Sequence, residues 1–172
     1  MHSEIVELQG GKLTGKLRYI QRVERLIIVC HGYQSSSDHP ATTAITEGLN
    51  EKGYATFVFN FSDESGFNLE QQVADIDHVI DHFSDYPEIV LMASSFGALS
   101  TAIATVKSPR ATGLVTINGF FGSGKLGRKI RSTYLVFRLL AIVSPGNKRI
   151  WSFFKREFQP SQISVPVLVI HA

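Results

Sequence analysis

The chain has 172 residues, 44% of them hydrophobic, and its 17 Lys and Arg against 15 Asp and Glu leave a formal net charge of +2. That length supports one sizeable core, and no shift in composition argues for two domains. A single cysteine, Cys30, excludes an internal disulfide, and Met1-His2-Ser3-Glu4 lacks the basic-then-apolar layout of a leader. No apolar run approaches the length of a membrane span, so a cytoplasmic protein is expected.

In chain order, Glu4 to Leu8 and Leu13 to Ile20 flank Gly10-Gly11, with Leu13, Leu17 and Tyr19 alternating against polar residues, which predicts a half-exposed hairpin. Leu26-Ile27-Ile28-Val29-Cys30 is a continuous apolar run of the kind that forms a buried parallel strand, and it stops at His31-Gly32-Tyr33. Asp38 and Pro40 then open a helix whose apolar side is Ala41, Ala44, Ile45 and Leu49, closed by Gly53. A second strand, Ala55 to Phe61, leads into the polar loop Ser62-Asp63-Glu64-Ser65-Gly66. Leu69, Val73, Ile76, Ile80 and Phe83 mark one stripe of the next helix. Glu88 to Ala93 reads as a strand, Phe96 to Lys107 as a helix stopped before Pro109, and Gly113 to Ile117 as another strand. Alternating strands and helices give an α/β fold class with a mostly parallel, doubly wound sheet.

The segment Ala93-Ser94-Ser95-Phe96-Gly97 joins a buried strand to an Ala-rich helix through small residues, with Ser95 at the apex. It fits the G-x-S-x-G nucleophile elbow with Ala at the first Gly position. Small neighbours are needed because the backbone there is strained and packs closely, and the amide of Phe96 falls at the positive end of a helix. On the pattern alone, a plain N-cap serine remains the alternative. Together, the strand ending in His31-Gly32, the strand opening into the Ser/Asp/Gly loop and the elbow resemble the α/β-hydrolase family. The likeness runs from the hairpin to the last residue, and the elbow and the His31-Gly32 turn are its most specific parts. It implies that Ser95 is the nucleophile and that the backbone amides of Tyr33 and Phe96 form an oxyanion hole. In that scheme His31 and Gly32 support the oxyanion loop, while Ala93 and Gly97 support the elbow.

Val165-Pro166-Val167-Leu168-Val169-Ile170-His171-Ala172 resembles the family strand that runs into Gly-x-x-Asp. In the family the acidic triad member follows this strand and the histidine follows a further one, so neither carries over. His171 matches the residue before the family's glycine and not the base. Some relatives place the acid one strand earlier, which here falls at Asn118-Gly119 and offers no carboxylate. The resemblance therefore implies a single incomplete domain over residues 1–172 that lacks the last strand and helix, and a chain of low activity by itself. It also implies an uncovered apolar edge at residues 166–170 and poor solubility.

Residues 120–164 lie where the family inserts a helical cap. They carry nine basic residues, among them Lys125, Arg128, Lys129 and Arg131, against the single acid Glu157, a net of +8. The body is correspondingly −6. Phe120, Phe121, Tyr134, Phe137, Trp151, Phe153, Phe154 and Phe158 fall in the same stretch, with Leu126, Ile130, Tyr134, Phe137 and Ala141 at helical spacing. Two readings stand: a solvated basic face with a hydrophobic underside, or a cap that binds an acyl or aryl group and attracts an anionic substrate or membrane surface. Nucleic acid is disfavoured by the acidic body and the lack of a recognised module.

Other residues carry less. Asp75, His78 and His82 share one side of a helix at metal-ligand spacing, but the apolar stripe assigns that side to solvent, so no metal is expected. His39 reads as a helix-start residue, and Gly122-Ser123-Gly124-Lys125 lacks the full spacing of a phosphate loop. The expected activity is hydrolysis of a carboxylic ester, on a small acyl substrate that is anionic or lipid-like, without cofactor or metal. Thioester hydrolysis or acyl transfer uses the same elbow, and a non-catalytic protein binding an anionic partner or lipid through the basic cap is the alternative from another class. Oligomeric state is left open.

Overall fold

The computed structural model describes residues 1–21, 23–32, 35–63, 65–66, 68–119 and 158–171. Alternation in the amino-terminal segment builds the antiparallel hairpin β1 (His2–Leu8) and β2 (Leu13–Tyr19), which pairs Leu8 with Leu13 across the turn. The remaining strands are β3 (Arg25–Cys30), β4 (Ala55–Asn60), β5 (Glu88–Ser94), β6 (Ala111–Ile117) and β7 (Val167–Ile170). They form a seven-stranded sheet in the order β1-β2-β4-β3-β5-β6-β7. It is antiparallel from β1 through β4 and parallel from β4 to β7.

The central strands are apolar along their whole length because both faces are covered. Leu26, Ile28 and Cys30 of β3 join Phe57, Phe59, Leu91 and Ala93 in a core shared with α2 (Leu69–His82) and α3 (Gly97–Lys107). Ile27, Val29, Val58 and Met92 face the other way, toward Ile45 and Leu49 of α1 (Pro40–Glu51). Helices thus cover opposite faces, as a doubly wound sheet requires. Each fully buried aliphatic side chain in this double core contributes roughly 1.5–3 kcal/mol.

Two helix faces differ from the sequence expectation. In α1 the residues turned fully inward are Thr42, Thr46 and Asn50, while Ala41 and Ala44 are exposed. Polar residues are tolerated there because Asn50 donates to the carbonyls of Arg18 and Tyr54, at 3.1 and 2.9 Å, fastening α1 to β2 and to the start of β4. His39, not Asp38, caps the helix by accepting from the Ala41 amide, and Asp38 instead pairs with Lys16.

In α2 the apolar stripe forms as expected, but Asp75 lies inside it and is fully buried. One carboxylate oxygen accepts from the Ser62 amide and hydroxyl, both at 2.9 Å, and from the Ser65 hydroxyl at 2.5 Å; the other accepts from Gln71 at 2.9 Å. The solvent-facing reading of Asp75 is corrected by these bonds: four donors replace its hydration shell and tie the loop after β4 to α2. His78 and His82 do face solvent.

β7 is the outer strand, and Val167, Leu168, Val169 and Ile170 are all exposed, by 45, 55, 60 and 41%. The cap residues 120–157 lie outside the described residues. Just beyond them, Phe158 and Ile163 pack against the α2/α3 core on either side of a short 3₁₀ turn at Pro160–Gln162.

Replacing Asp75 by Ala strands four donors, at least two of them buried. Asp75→Ala is expected to lower the unfolding free energy by about 3 kcal/mol, measured by urea titration. An unchanged midpoint would contradict the locking role.

Candidate active site

Parallel strands present their carboxyl ends along one crest of the sheet, and in this fold type ligands bind beside that crest. Ser95 stands there, one residue past β5, with φ at +50°. A non-glycine residue in the left-handed region costs about 1–2 kcal/mol, so the surroundings must hold it. They do so through backbone hydrogen bonds on both sides: Ser95 N–H donates to the Ile117 carbonyl at 3.1 Å, and the Ser95 carbonyl accepts from Ala98 N–H at 3.2 Å. The second bond starts α3. The serine itself is exposed.

The elbow is pressed against the end of β3. A Cβ at Gly97 would lie 2.6 Å from the His31 carbonyl oxygen and 3.2 Å from that of Cys30, both rigid backbone. A Cβ at Gly32 would lie 3.1 Å from Ser95 Cβ. Glycine at 97 and 32 therefore lets β3, the elbow and α3 meet, and Ala93, two residues before the serine, is buried in β5 at 1% exposure, level with Cys30 and Thr116. Phe96 follows the serine in helical conformation and packs half-buried on the core, with its amide at the amino end of α3. Tyr33, the other residue expected to supply an oxyanion donor, lies outside the described residues.

His31 braces the same corner. Its Nδ1 is 2.8 Å from the Gly32 carbonyl oxygen, and its ring meets Phe61 edge-on at 5.2 Å. Phe61 in turn meets Phe59 edge-on at 5.0 Å. Burial pushes the imidazole below its ordinary titration range, against the opposing pull of the Gly32 carbonyl, so the ring is held neutral. Cys30 beneath it is buried, and its thiol is pushed up to about 12 by that burial. It is a packing residue and not a nucleophile.

Sequence reasoning missed one polar pair on this crest. Asn118, one residue past β6, also has a left-handed backbone, with φ at +47°. Its Oδ1 lies 2.8 Å from Nδ1 of His171, one residue past β7. Only the strand register brings these residues together, since they are 53 positions apart. Among the described residues no group of three His, Cys, Asp or Glu side chains converges to hold a metal ion, and no helix is long and apolar enough to cross a membrane.

Sheet order, the two-sided helical cover and the strained serine between β5 and α3 define the α/β-hydrolase fold. Among solved structures, Est1E from Butyrivibrio proteoclasticus superposes with a TM-score of 0.68 at 18% identity, covering 98% of this chain and 76% of that one. The same protein with ferulic acid bound matches at 0.67 and 17%, over 96% and 77% of the two chains. An esterase from Pyrococcus furiosus matches at 0.65 and 15%, over 98% and 68%. Epoxide hydrolase A from Mycobacterium thermoresistibile matches at 0.54 and 16%, over 67% and 38%. No family profile and no curated protein sequence matches the chain.

Two outcomes follow from this geometry. Gly97→Ala forces a methyl group into the His31 carbonyl and is expected to cost about 2 kcal/mol or more, read from urea denaturation; a neutral result would contradict the close approach. Because the buried His31 binds a proton less readily than the unfolded chain does, its contribution to stability is lost as pH falls below about 6.5. Melting curves should show that decline in the wild type and a shallower one in His31→Asn. Parallel curves would remove His31 as the source.

Proposed function

We propose that the protein is a serine hydrolase acting on carboxylic esters, with Ser95 as the nucleophile. The observation that carries this reading is the exposed serine held in a left-handed backbone at the junction of β5 and α3. Strain of this kind persists only where the fold over-determines it, and such places are commonly functional. Here the strain lifts the hydroxyl onto the crest and sets the following amide at the positive end of a helix. Attack of Oγ on an ester carbonyl builds negative charge on the carbonyl oxygen, and the Phe96 amide, with Tyr33 as its partner, is assigned to receive it. Collapse releases the alcohol and leaves an acyl-serine that water then clears. None of these steps calls for a metal or cofactor.

One structural neighbour, from Pyrococcus furiosus, carries the name esterase, and another, Est1E, has ferulic acid bound in one of its structures. Those names support the choice of an ester over the other bonds this fold type cleaves. The half-buried rings of His31 and Phe61, in edge-on contact at 5.2 Å at the end of β3, agree with an acyl or aryl group on that side.

A fluorophosphonate probe tests the reading directly, because it reports an activated serine whatever the substrate. The wild-type chain is expected to acquire one covalent label on Ser95, and Ser95→Ala to acquire none. Equal labelling of the two would remove Ser95 as the nucleophile.

A further inference from the structure

Asp75 is a fully buried carboxylate that the steps assigned to Ser95 leave unused. Filling its lone pairs would satisfy stability alone, but three of its four donors come from one short turn. Ser62 gives its amide and its hydroxyl, and Ser65 gives its hydroxyl. The turn is closed on itself by Ser65 N–H to the Ser62 carbonyl at 2.9 Å, with the two hydroxyls 3.0 Å apart. Its place is set from α2, where Gln71 meets the other carboxylate oxygen of Asp75 and Gln72 Nε2 donates to the Gly66 carbonyl at 2.6 Å.

The residue just before this turn is Phe61. β4 ends at Asn60, so Phe61 has left the sheet and hangs between two fixed points. On one side Asn60 Oδ1 accepts from Ser37 N–H at 2.7 Å; on the other stands Ser62, bound to Asp75. The half-buried ring of Phe61 meets His31 edge-on at 5.2 Å, and His31 adjoins Gly32, where a Cβ would lie 3.1 Å from Ser95 Cβ. The strand register agrees: Val29 is level with Val58 and with Met92, and Gly32, Phe61 and Ser95 each come three residues later. Every link from the Asp75 carboxylate to Ser95 is thus a hydrogen bond, a peptide link or a close packing contact.

We propose that Asp75 is the positioning residue for the acyl side of the site: through Ser62 it holds Phe61 against His31, and these two rings select the group attached to the carbonyl that Ser95 attacks. This rests on the reading of Ser95 as the nucleophile. Asp75 itself touches neither the substrate nor the reacting atoms. Its removal frees the turn and takes away the support on the carboxyl side of Phe61, while Ser95 keeps its own backbone bonds to Ile117 and Ala98. Reactivity of the serine and choice of acyl group are therefore separable, and Asp75 governs the second.

The test is the ratio of labelling rates for two fluorophosphonates, one carrying a phenylethyl group on phosphorus and one an ethyl group; in both, Ser95 Oγ displaces fluoride. Both rates come from the same sample, so the ratio does not depend on how much of the protein is folded. Wild type is expected to favour the phenylethyl probe about tenfold, and Asp75→Ala and Phe61→Ala each to lose that preference. Asp75→Asn keeps an oxygen for the serines and should retain it. Asn50→Ala, which loosens α1 on the opposite face of the sheet, should stay within about twofold of wild type. Where Asp75→Ala does not fold, Ser65→Ala is read in its place, with a loss of about threefold from the one bond it removes. An unchanged ratio in Asp75→Ala, a loss shared by Asn50→Ala, or a Phe61→Ala that keeps the preference overturns the role of Asp75 and leaves Ser95 standing. A wild type that labels without preference does the same. A wild type that never labels, like Ser95→Ala, overturns both readings.

Discussion

The carbonyl oxygen of His31 sits 2.6 Å from where a side chain at position 97 would begin, and the site grows out of that contact. It brings the end of β3 against the first turn of α3, so the chain leaving β5 must reverse within one residue. Ser95 makes the reversal by adopting a backbone that costs energy in any L-residue. The cost is met by packing around it: β5 lies between β3 and β6, the Ile117 carbonyl takes the Ser95 amide, and small residues at 93 and 97 let the elements close. A strained, exposed position at the crest is thus a by-product of how tightly a parallel sheet can be wound against its helices.

Packing beneath the crest is aromatic toward β4, while two polar side chains meet on the crest toward β7. Toward β4, His31, Phe59 and Phe61 interlock, and the loop that follows is anchored beneath by the buried carboxylate of Asp75. Toward β7, Asn118 and His171 meet across a strand boundary.

Much of this was legible from the sequence because it rests on local patterns. The apolar runs of β3 and β4, the stripe of α2 and the small-residue turn at Ser95 announce themselves within a dozen residues. What escaped depends on distant partners. Asp75 read as solvent-facing because Val79 was left out of the stripe; including Val79, four residues on, places Asp75 on the inner face, where Ser62 and Ser65 meet it. In α1 the apolar alanines drew the eye, whereas Thr42, Thr46 and Asn50 were buried because the helix is fastened by hydrogen bonds to β2 and β4. Asn118 in sequence shows only the lack of a carboxylate, and His171 only the end of an apolar run. Only the register of β6 with β7 makes them neighbours.

The central claim is that the fold, and not the serine, imposes the left-handed elbow. Comparing the urea stabilities of Ser95→Gly and Ser95→Ala tests it most directly, because both remove the hydroxyl and only glycine relieves the backbone. Ser95→Gly should be the more stable of the two by about 1 kcal/mol, after the glycine's greater unfolded-state entropy is set against the relieved strain. If Ser95→Ala is equally or more stable, the elbow is not strained and the account of how this chain presents Ser95 fails.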